Sequence, residues 1–192
     1  MNLVNLIETA TVVFSVILAN FLYVRMIIAI LNFRKGHLLT YKLFEKLGNS
    51  ALSKAEYISY GVHPQSKMVH VNVLLEDESN NMKKYDYHTY ENKYRNMEPH
   101  TELSVYCLKE CLKVEKFSKE LIKLKQDIVE RELGIRINKG TAKALEVIIS
   151  TDDIFFYKKY KITYQIADII FITSFGIADI LFTVFVFGGV IG

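Results

Sequence analysis

Two carboxylates in an apolar segment are the most unusual chemistry of this sequence. Asp168 and Asp179 lie in residues 164–192, which contain no lysine or arginine. On an α-helix, eleven residues make three turns plus about 20°, so the two carboxylates share one helix face. A carboxylate exposed to lipid costs at least about 2.5 kcal/mol. We therefore expect this face to lie against protein or water.

A second apolar segment, residues 10–33, offers polar partners for these carboxylates. If the two segments cross a bilayer in opposite directions, Arg25 comes within reach of Asp168, and Asn20 within reach of Asp179. Asn20 and Arg25 are about 140° apart on their helix, so one helix pair is not expected to satisfy both. The four side chains predict either polar contacts that lock a hairpin or an oligomer, or an acidic pore lining. A third interpretation leaves Asp168 among lipid headgroups.

The charges divide the 192-residue chain into three parts. The middle, residues 34–163, carries 23 of the 24 basic and 18 of the 21 acidic residues, a net charge of +5. Each flanking part exceeds the roughly 20 apolar residues that a membrane-spanning helix needs. The sequence predicts a membrane protein with two transmembrane helices, in 1–33 and 164–192, flanking an α+β domain over 34–163.

Basic residues near the two apolar segments predict their orientation. Arg34, Lys35, Lys42 and Lys46 follow the first segment, and three lysines within 158–161 precede the second. Lysine and arginine favour the cytoplasmic side of a membrane. We expect a cytoplasmic middle domain with both termini on the opposite side of a cell or bacterial inner membrane.

Two alternating segments predict a β-hairpin within the middle domain. Residues 67–75 place three valines and Leu75 on one face and Met68, His70, Asn72 and Leu74 on the other. The tyrosine-rich residues 83–94 are the expected return strand. The hairpin is a candidate ligand or assembly surface, formed by His70, Tyr85, Tyr87, His88 and Tyr90. Its tyrosines and lysines resemble a single-stranded nucleic-acid surface, but packed tyrosines are expected instead.

Two weak metal-binding patterns accompany the hairpin. His70 and His88 could meet across it, joined by Asp86 or Glu91. Cys107 and Cys111 lie four residues apart on a predicted helix, with His100 upstream. Scattered histidines of this kind are more often structural, so we predict no metal site and no cofactor.

Five further segments are predicted to be helical. A juxtamembrane helix over 37–48 either lies on the membrane surface or packs on the domain. Residues 50–60 contain a capping-box pattern, and 138–150 and about 152–188 form further helices, the last entering the membrane. The longest soluble helix is predicted over 101–134. Its apolar stripe, a candidate oligomer contact, consists of Val114, Phe117, Leu121, Leu124 and Ile128.

No catalytic motif appears, so we expect a protein that is not an enzyme. The sequence lacks a phosphate-binding glycine loop, a His-Glu-x-x-His motif and paired Cys-x-x-Cys motifs. The expected function is a homo-oligomeric membrane assembly, either a channel or a subunit of a transport or secretion machine. The alternatives are a membrane-anchored ligand- or nucleotide-binding domain or enzyme, and a scaffold or exclusion factor that binds one protein. The bilayer and other copies of the chain are the expected partners, within a larger membrane complex or alone; nucleic acid is not.

Overall fold

A computed structural model describes residues 3–62, 69–76, 82–89 and 92–191. Side chains are described throughout these ranges except at 3–6, 8, 92, 155–165, 168 and 187–191. The chain forms two compact units. A helical unit contains Met1–Leu31 and Tyr160–Gly192, and an α+β unit contains Asn32–Lys159.

Two long helices flank the α+β region. Helix α1 extends over Leu3–Leu47, and helix α4 extends over Thr151–Ile191. The single helix predicted over about 152–188 is therefore confirmed. Residues 37–47 are the last part of α1 and not a separate helix, and Gly48 begins a 3₁₀ turn, Gly48–Ala51.

A five-stranded sheet forms the centre of the α+β unit. The strands are β1 (Leu52–Val62), β2 (Val69–Glu76), β3 (Met82–Thr89), β4 (Glu102–Cys107) and β5 (Ile148–Ser150). Their order in the sheet is β3-β2-β1-β4-β5, and all hydrogen-bonded neighbours are antiparallel. The sheet curls, so that its edge strands β3 and β5 lie close to each other.

The predicted hairpin is confirmed in the strands β2 and β3. Val69, Val71 and Val73 alternate inward along β2, as the sequence pattern indicates. The register pairs His70 with His88. The predicted turn falls largely on residues 77–81, which lie outside the described residues.

The helix predicted over 50–60 is wrong, because this segment forms β1. Ala55 and Tyr57 are buried on alternate positions, and β1 is bonded on both sides, to β2 and to β4. Ser53 and Glu56 do not form a capping box, and the Glu56 carboxylate instead contacts the His100 ring. Two ladders of backbone hydrogen bonds outweigh a local capping signal worth about 1 kcal/mol.

The helix predicted over 101–134 is wrong in its first half. Residues 102–107 form β4, a 3₁₀ turn follows at Lys109–Lys113, and helix α2 covers only Lys119–Leu133. Ser118 caps α2 by accepting a hydrogen bond from the Leu121 amide at 3.0 Å. Gly134 ends it with φ 68°, as predicted.

The predicted apolar stripe of this helix is consequently broken. Val114 and Phe117 precede α2, and the Phe117 side chain is 94% exposed. Leu121 and Ile128 are buried, and Leu124 is half-buried, inside the α+β unit's own core. Packing within the chain therefore uses four of the five candidates for pairing with another subunit, all except Phe117.

The helix predicted over 138–150 is wrong in its second half. Helix α3 covers only Lys139–Ala144, capped by the Asn138 carboxamide oxygen, which accepts from the Thr141 amide at 2.8 Å. The β-branched residues Ile148 and Ile149 then form β5 and pair with β4. The hydrophobic pattern of residues 147–150 is too short to distinguish a helix from a strand. Pairing with β4 makes this segment a strand.

Two apolar clusters stabilise the α+β unit. The first fills the inside of the curled sheet, where Val71, Val73 and Val105 are fully buried. The second lies among α1, α2, α3 and the outer side of β5. Leu39 and Leu43 of α1 belong to it and are nearly or completely buried. Of the two interpretations of 37–48, packing on the domain is the one that the structure shows.

The cysteines provide a test of this packing. Cys107 ends β4 and Cys111 lies in the 3₁₀ turn, so the prediction that they share a helix face is wrong. Both thiols are free and buried, and burial raises their pKa values to about 12 and about 11 respectively. We expect native protein at pH 8 to react with iodoacetamide on the order of 100-fold more slowly than urea-unfolded protein. Equal rates would contradict the described core.

Candidate functional site

One seam joins α1 and α4 within the helical unit. The Tyr23 hydroxyl donates a hydrogen bond to the Ile172 carbonyl at 3.3 Å, and a Cβ at Gly176 would lie 2.8 Å from the same hydroxyl. Buried or half-buried residues recur at steps of four, three and four along both helices, which is the spacing of an interhelical seam. These residues are Val12, Val16, Ala19 and Tyr23 on α1, and Ile172, Gly176, Asp179 and Thr183 on α4.

Away from this seam, both helices expose large apolar side chains. Each contains an 18-residue window of high mean hydropathy, 2.2 and 2.3, of which only 6% and 0% is buried. Phe14 and Phe185 are 66% and 80% exposed. A core helix of a soluble domain would bury such side chains. The chain therefore has two helices that are long and apolar enough to cross a membrane.

The polar residues of these helices occupy different faces. Asp179 is half-buried on the seam, whereas Asn20 and Arg25 are exposed. The Asn20 amide donates to the Val16 carbonyl at 2.9 Å, one turn back on its own helix. Within one chain, the described residues show no hydrogen bond between Asn20 and Asp179, and a contact of either residue with another copy stays a prediction. The Arg25 guanidinium lies 5.7 Å from the Phe21 ring centroid, and the Asp168 side chain lies outside the described residues.

The two histidines of the hairpin meet on the outer face of the sheet. Their Nε2 atoms are 2.8 Å apart, and their ring centroids are 3.8 Å apart. They are directly paired in the register of β2 and β3, which brings cross-strand side chains into contact. His70 is half-buried and His88 is exposed, so solvent reaches the pair. The sequence predicted this meeting, and the structure confirms it.

A second polar pair continues the same face. Asp86 forms an ion pair with Lys116, and Asn72, opposite Asp86, donates to the Ser59 hydroxyl at 3.1 Å. Partial burial raises the pKa of Asp86, but the hydrogen bond from Lys116, the charge of Lys116 and the charges of His88 and His70 together outweigh it and leave the pKa below its ordinary value. Partial burial and the neighbouring His70 lower the pKa of His88.

The tyrosines of the hairpin point away from the histidines. Tyr87 is buried inside the curled sheet, and Tyr85 is half-buried with its hydroxyl donating to the Leu112 carbonyl at 2.9 Å. The predicted common surface of histidines and tyrosines is wrong, because successive side chains of a strand lie on opposite faces. Buried rings cannot stack on bases, so the expectation of packed tyrosines is confirmed at these positions. Tyr90 lies outside the described residues.

Sequence reasoning missed a polar network inside the sheet. The Tyr87 hydroxyl donates to the Tyr94 hydroxyl at 2.8 Å, which donates to the Ser150 hydroxyl at 3.2 Å. Nearby, the Thr89 hydroxyl donates to the buried Asp153 carboxylate at 2.8 Å. These bonds link β3 to β5 and the start of α4. The sequence showed only the capping signal at 150–153, since Ser150 and Asp153 lie 56 and 64 residues after their partners Tyr94 and Thr89.

A second polar group that the sequence did not reveal joins α1 to the segment before β5. The Thr40 hydroxyl is fully buried; it donates to the Gly36 carbonyl and accepts from the Glu146 amide, both at 3.0 Å. The buried Lys125 ammonium donates to the Leu145 carbonyl at 2.5 Å. Burial lowers the Lys125 pKa and raises the Glu146 pKa. These contacts position α1 and stabilise the fold.

Metal ligands are sparse in the described part of the chain. No group of three or more histidine, cysteine, aspartate and glutamate side chains is arranged there to hold an ion. His100 contacts Glu56 and not the cysteines, and Glu91 lies outside the described residues. No protein-family model, curated protein or solved structure matches the chain.

Proposed function

We propose that this chain is an integral membrane protein that crosses the bilayer twice and assembles into a homo-oligomer, with its α+β domain in the cytoplasm. One observation carries the proposal: within the helical unit, the described side chains of α1 and α4 that lie off the seam are mostly exposed and apolar, and Arg25 and Asn20 lie on that exposed surface. Lipid would cover the apolar side chains. It would satisfy the two polar ones poorly.

The position of Arg25 favours contact between copies. Residues two positions apart on a helix differ by about 200° around its axis. Arg25 therefore projects from nearly the opposite side of α1 to Tyr23, which lies on the seam. An arginine at the centre of a membrane helix costs about 2.5–3.5 kcal/mol on insertion scales. A second copy offers polar partners that reduce this cost, and amides such as Asn20 also bond across membrane helices. Aligned copies would form a channel or a subunit of a transport machine.

The cytoplasmic placement rests on the charges beside α1 and α4. Arg34, Lys35, Lys42 and Lys46 follow the apolar part of α1, and lysines at 158–161 precede that of α4. Anionic cytoplasmic headgroups attract such residues. The cytoplasmic placement is tested by labelling a single cysteine in oriented vesicles. The variant carries Lys109→Cys together with Cys107→Ser and Cys111→Ser, so that the new thiol is the one that reacts. A membrane-impermeant reagent should label the cytoplasmic side only.

The mass of the purified full-length protein in nanodiscs tests the assembly. We expect a discrete oligomer for the wild type and a shift toward monomer for Arg25→Leu. Val24→Leu is the matched control, since Val24 is the exposed neighbour of Arg25, and it should leave the mass unchanged. A monomeric wild type would refute the oligomer.

Conductance then separates a pore from another assembly. If the oligomer encloses a water-filled path near the seam, Asp179→Asn should change single-channel conductance or cation selectivity without changing the mass. An oligomer of unchanged mass that carries no current in either form would refute the pore and favour a subunit of a larger machine.

A further inference from the structure

The histidine pair on the hairpin has the geometry of a partial metal site. Both Nε2 atoms approach each other at 2.8 Å from paired positions on β2 and β3. One imidazole donates to the other here, so one Nε2 carries a proton. If that histidine moved its proton to Nδ1, both Nε2 lone pairs would be available to one ion.

The separation of the two nitrogens is close to that required by one coordination geometry. Metal–imidazole bonds are about 2.0–2.1 Å long, so nitrogens 2.8 Å apart subtend close to 90° at the metal. That angle belongs to adjacent positions of a square-planar or tetragonal site, whereas tetrahedral zinc would need nitrogens about 3.3 Å apart. Tetragonal sites of nitrogen and oxygen ligands are those of Cu²⁺ and Ni²⁺.

We propose that His70 and His88 bind one divalent transition-metal ion, Cu²⁺ or Ni²⁺, through their Nε2 atoms, with water completing the coordination. The site goes beyond the proposed membrane assembly and does not depend on it. The ion would link β2 to β3 at the exposed side of the sheet and stabilise the hairpin.

One anionic side chain lies near the pair. Asp86 is two residues before His88 on the same outer face of β3, and its carboxylate interacts electrostatically with both histidines. Lys116 holds it in an ion pair, which would have to open before Asp86 could serve as a third ligand.

Copper binding to tag-free, full-length protein in nanodiscs tests the site. We expect one Cu²⁺ per chain with the electron paramagnetic resonance pattern of two nitrogen ligands. Outer-shell changes alone cost about 10- to 100-fold in metal affinity, so His70→Gln and His88→Gln should each weaken binding at least tenfold. His100→Gln is the matched control, because His100 contacts Glu56 and not another histidine.

A fourth variant distinguishes a three-ligand site from a two-ligand one. Lys116→Met frees the Asp86 carboxylate without removing a ligand, and it should raise copper affinity or leave it unchanged. Either result is consistent with copper binding to His70 and His88. An increase in copper affinity would in addition assign Asp86 as the third ligand. Equal affinity of the wild type, His70→Gln and His88→Gln would overturn the proposal, as would no binding at about 1 mM Cu²⁺. The copper affinity does not depend on the oligomeric state, so a monomeric mass in nanodiscs would contradict the proposed assembly and leave the metal site untouched.

Discussion

Gly36→Ala is expected to destabilise the α+β unit by about 1–3 kcal/mol. Helix propensity alone would predict that Gly36→Ala increases stability, because alanine stabilises a helix interior by about 1 kcal/mol relative to glycine. A Cβ at Gly36 would lie 2.7 Å from both the Ala144 Cβ and the Thr141 carbonyl oxygen. The backbone atoms of α3 cannot rotate away from the new methyl group as the end of a long side chain could. Helices α1 and α3 would therefore have to separate.

The measurement for Gly36→Ala is urea unfolding followed by tyrosine near-ultraviolet circular dichroism. This signal reports on the α+β unit, where Tyr57, Tyr87 and Tyr94 are buried. Gly61→Ala is the matched control, since a Cβ there meets no atom within 4 Å, and it should stay within about 0.5 kcal/mol of the wild type. A midpoint for Gly36→Ala at or above the control would contradict the close α1–α3 contact.

Tyr94→Ala is expected to have the largest effect, a loss of about 3–5 kcal/mol. Tyr94 is 2% exposed, and its ring lies between those of Tyr57 and Tyr87, at centroid distances of 6.3 and 6.2 Å. It comes from a 3₁₀ turn and not from a strand. Truncation would open a cavity inside the curled sheet and remove the hydroxyl that connects Tyr87 to Ser150.

Tyr94→Phe separates the contribution of the hydroxyl from that of the ring. It keeps the ring packing but removes the hydrogen bond that Tyr94 accepts from Tyr87 and the one that it donates to Ser150, which should cost about 1–3 kcal/mol. Tyr60→Phe, at a residue 37% exposed, is the control and should be nearly neutral. If Tyr94→Ala were no more damaging than Tyr94→Phe, the ring would not be packed as described.

The elements that the sequence predicted correctly are those whose signal is local and strong. The alternation of valines along 69–75 gave the hairpin and its histidine register, because a shift by one residue would expose the whole apolar face. The carboxylates at the start of α4 and the absence of a breaker before Gly176 predicted its length. Each pattern is sustained over enough residues to outweigh the alternatives.

The elements that were predicted wrongly are short segments with mixed signals. Residues 52–60 contain a capping box, and 102–107 precede a true helix. Their helical patterns span only a turn or two, and isolated helices of that length are marginal. Pairing with each other over Leu52↔Tyr106 to Glu56↔Glu102 supplied a full set of backbone hydrogen bonds. These partners lie about 50 residues apart, beyond any sequence window.

The sequence by itself determined which parts of the chain are apolar over a membrane-spanning length and which part carries the charges, because hydrophobicity is a sum over residue types. It also placed Asp179, Arg25 and Asn20 within the apolar parts. Only the tertiary structure decided which faces these residues occupy: Asp179 on the seam, Arg25 and Asn20 outside it. Packing of Tyr23 against Gly176 fixes the rotation of each helix about its axis. That rotation depends on shape complementarity between segments about 150 residues apart, which composition does not encode.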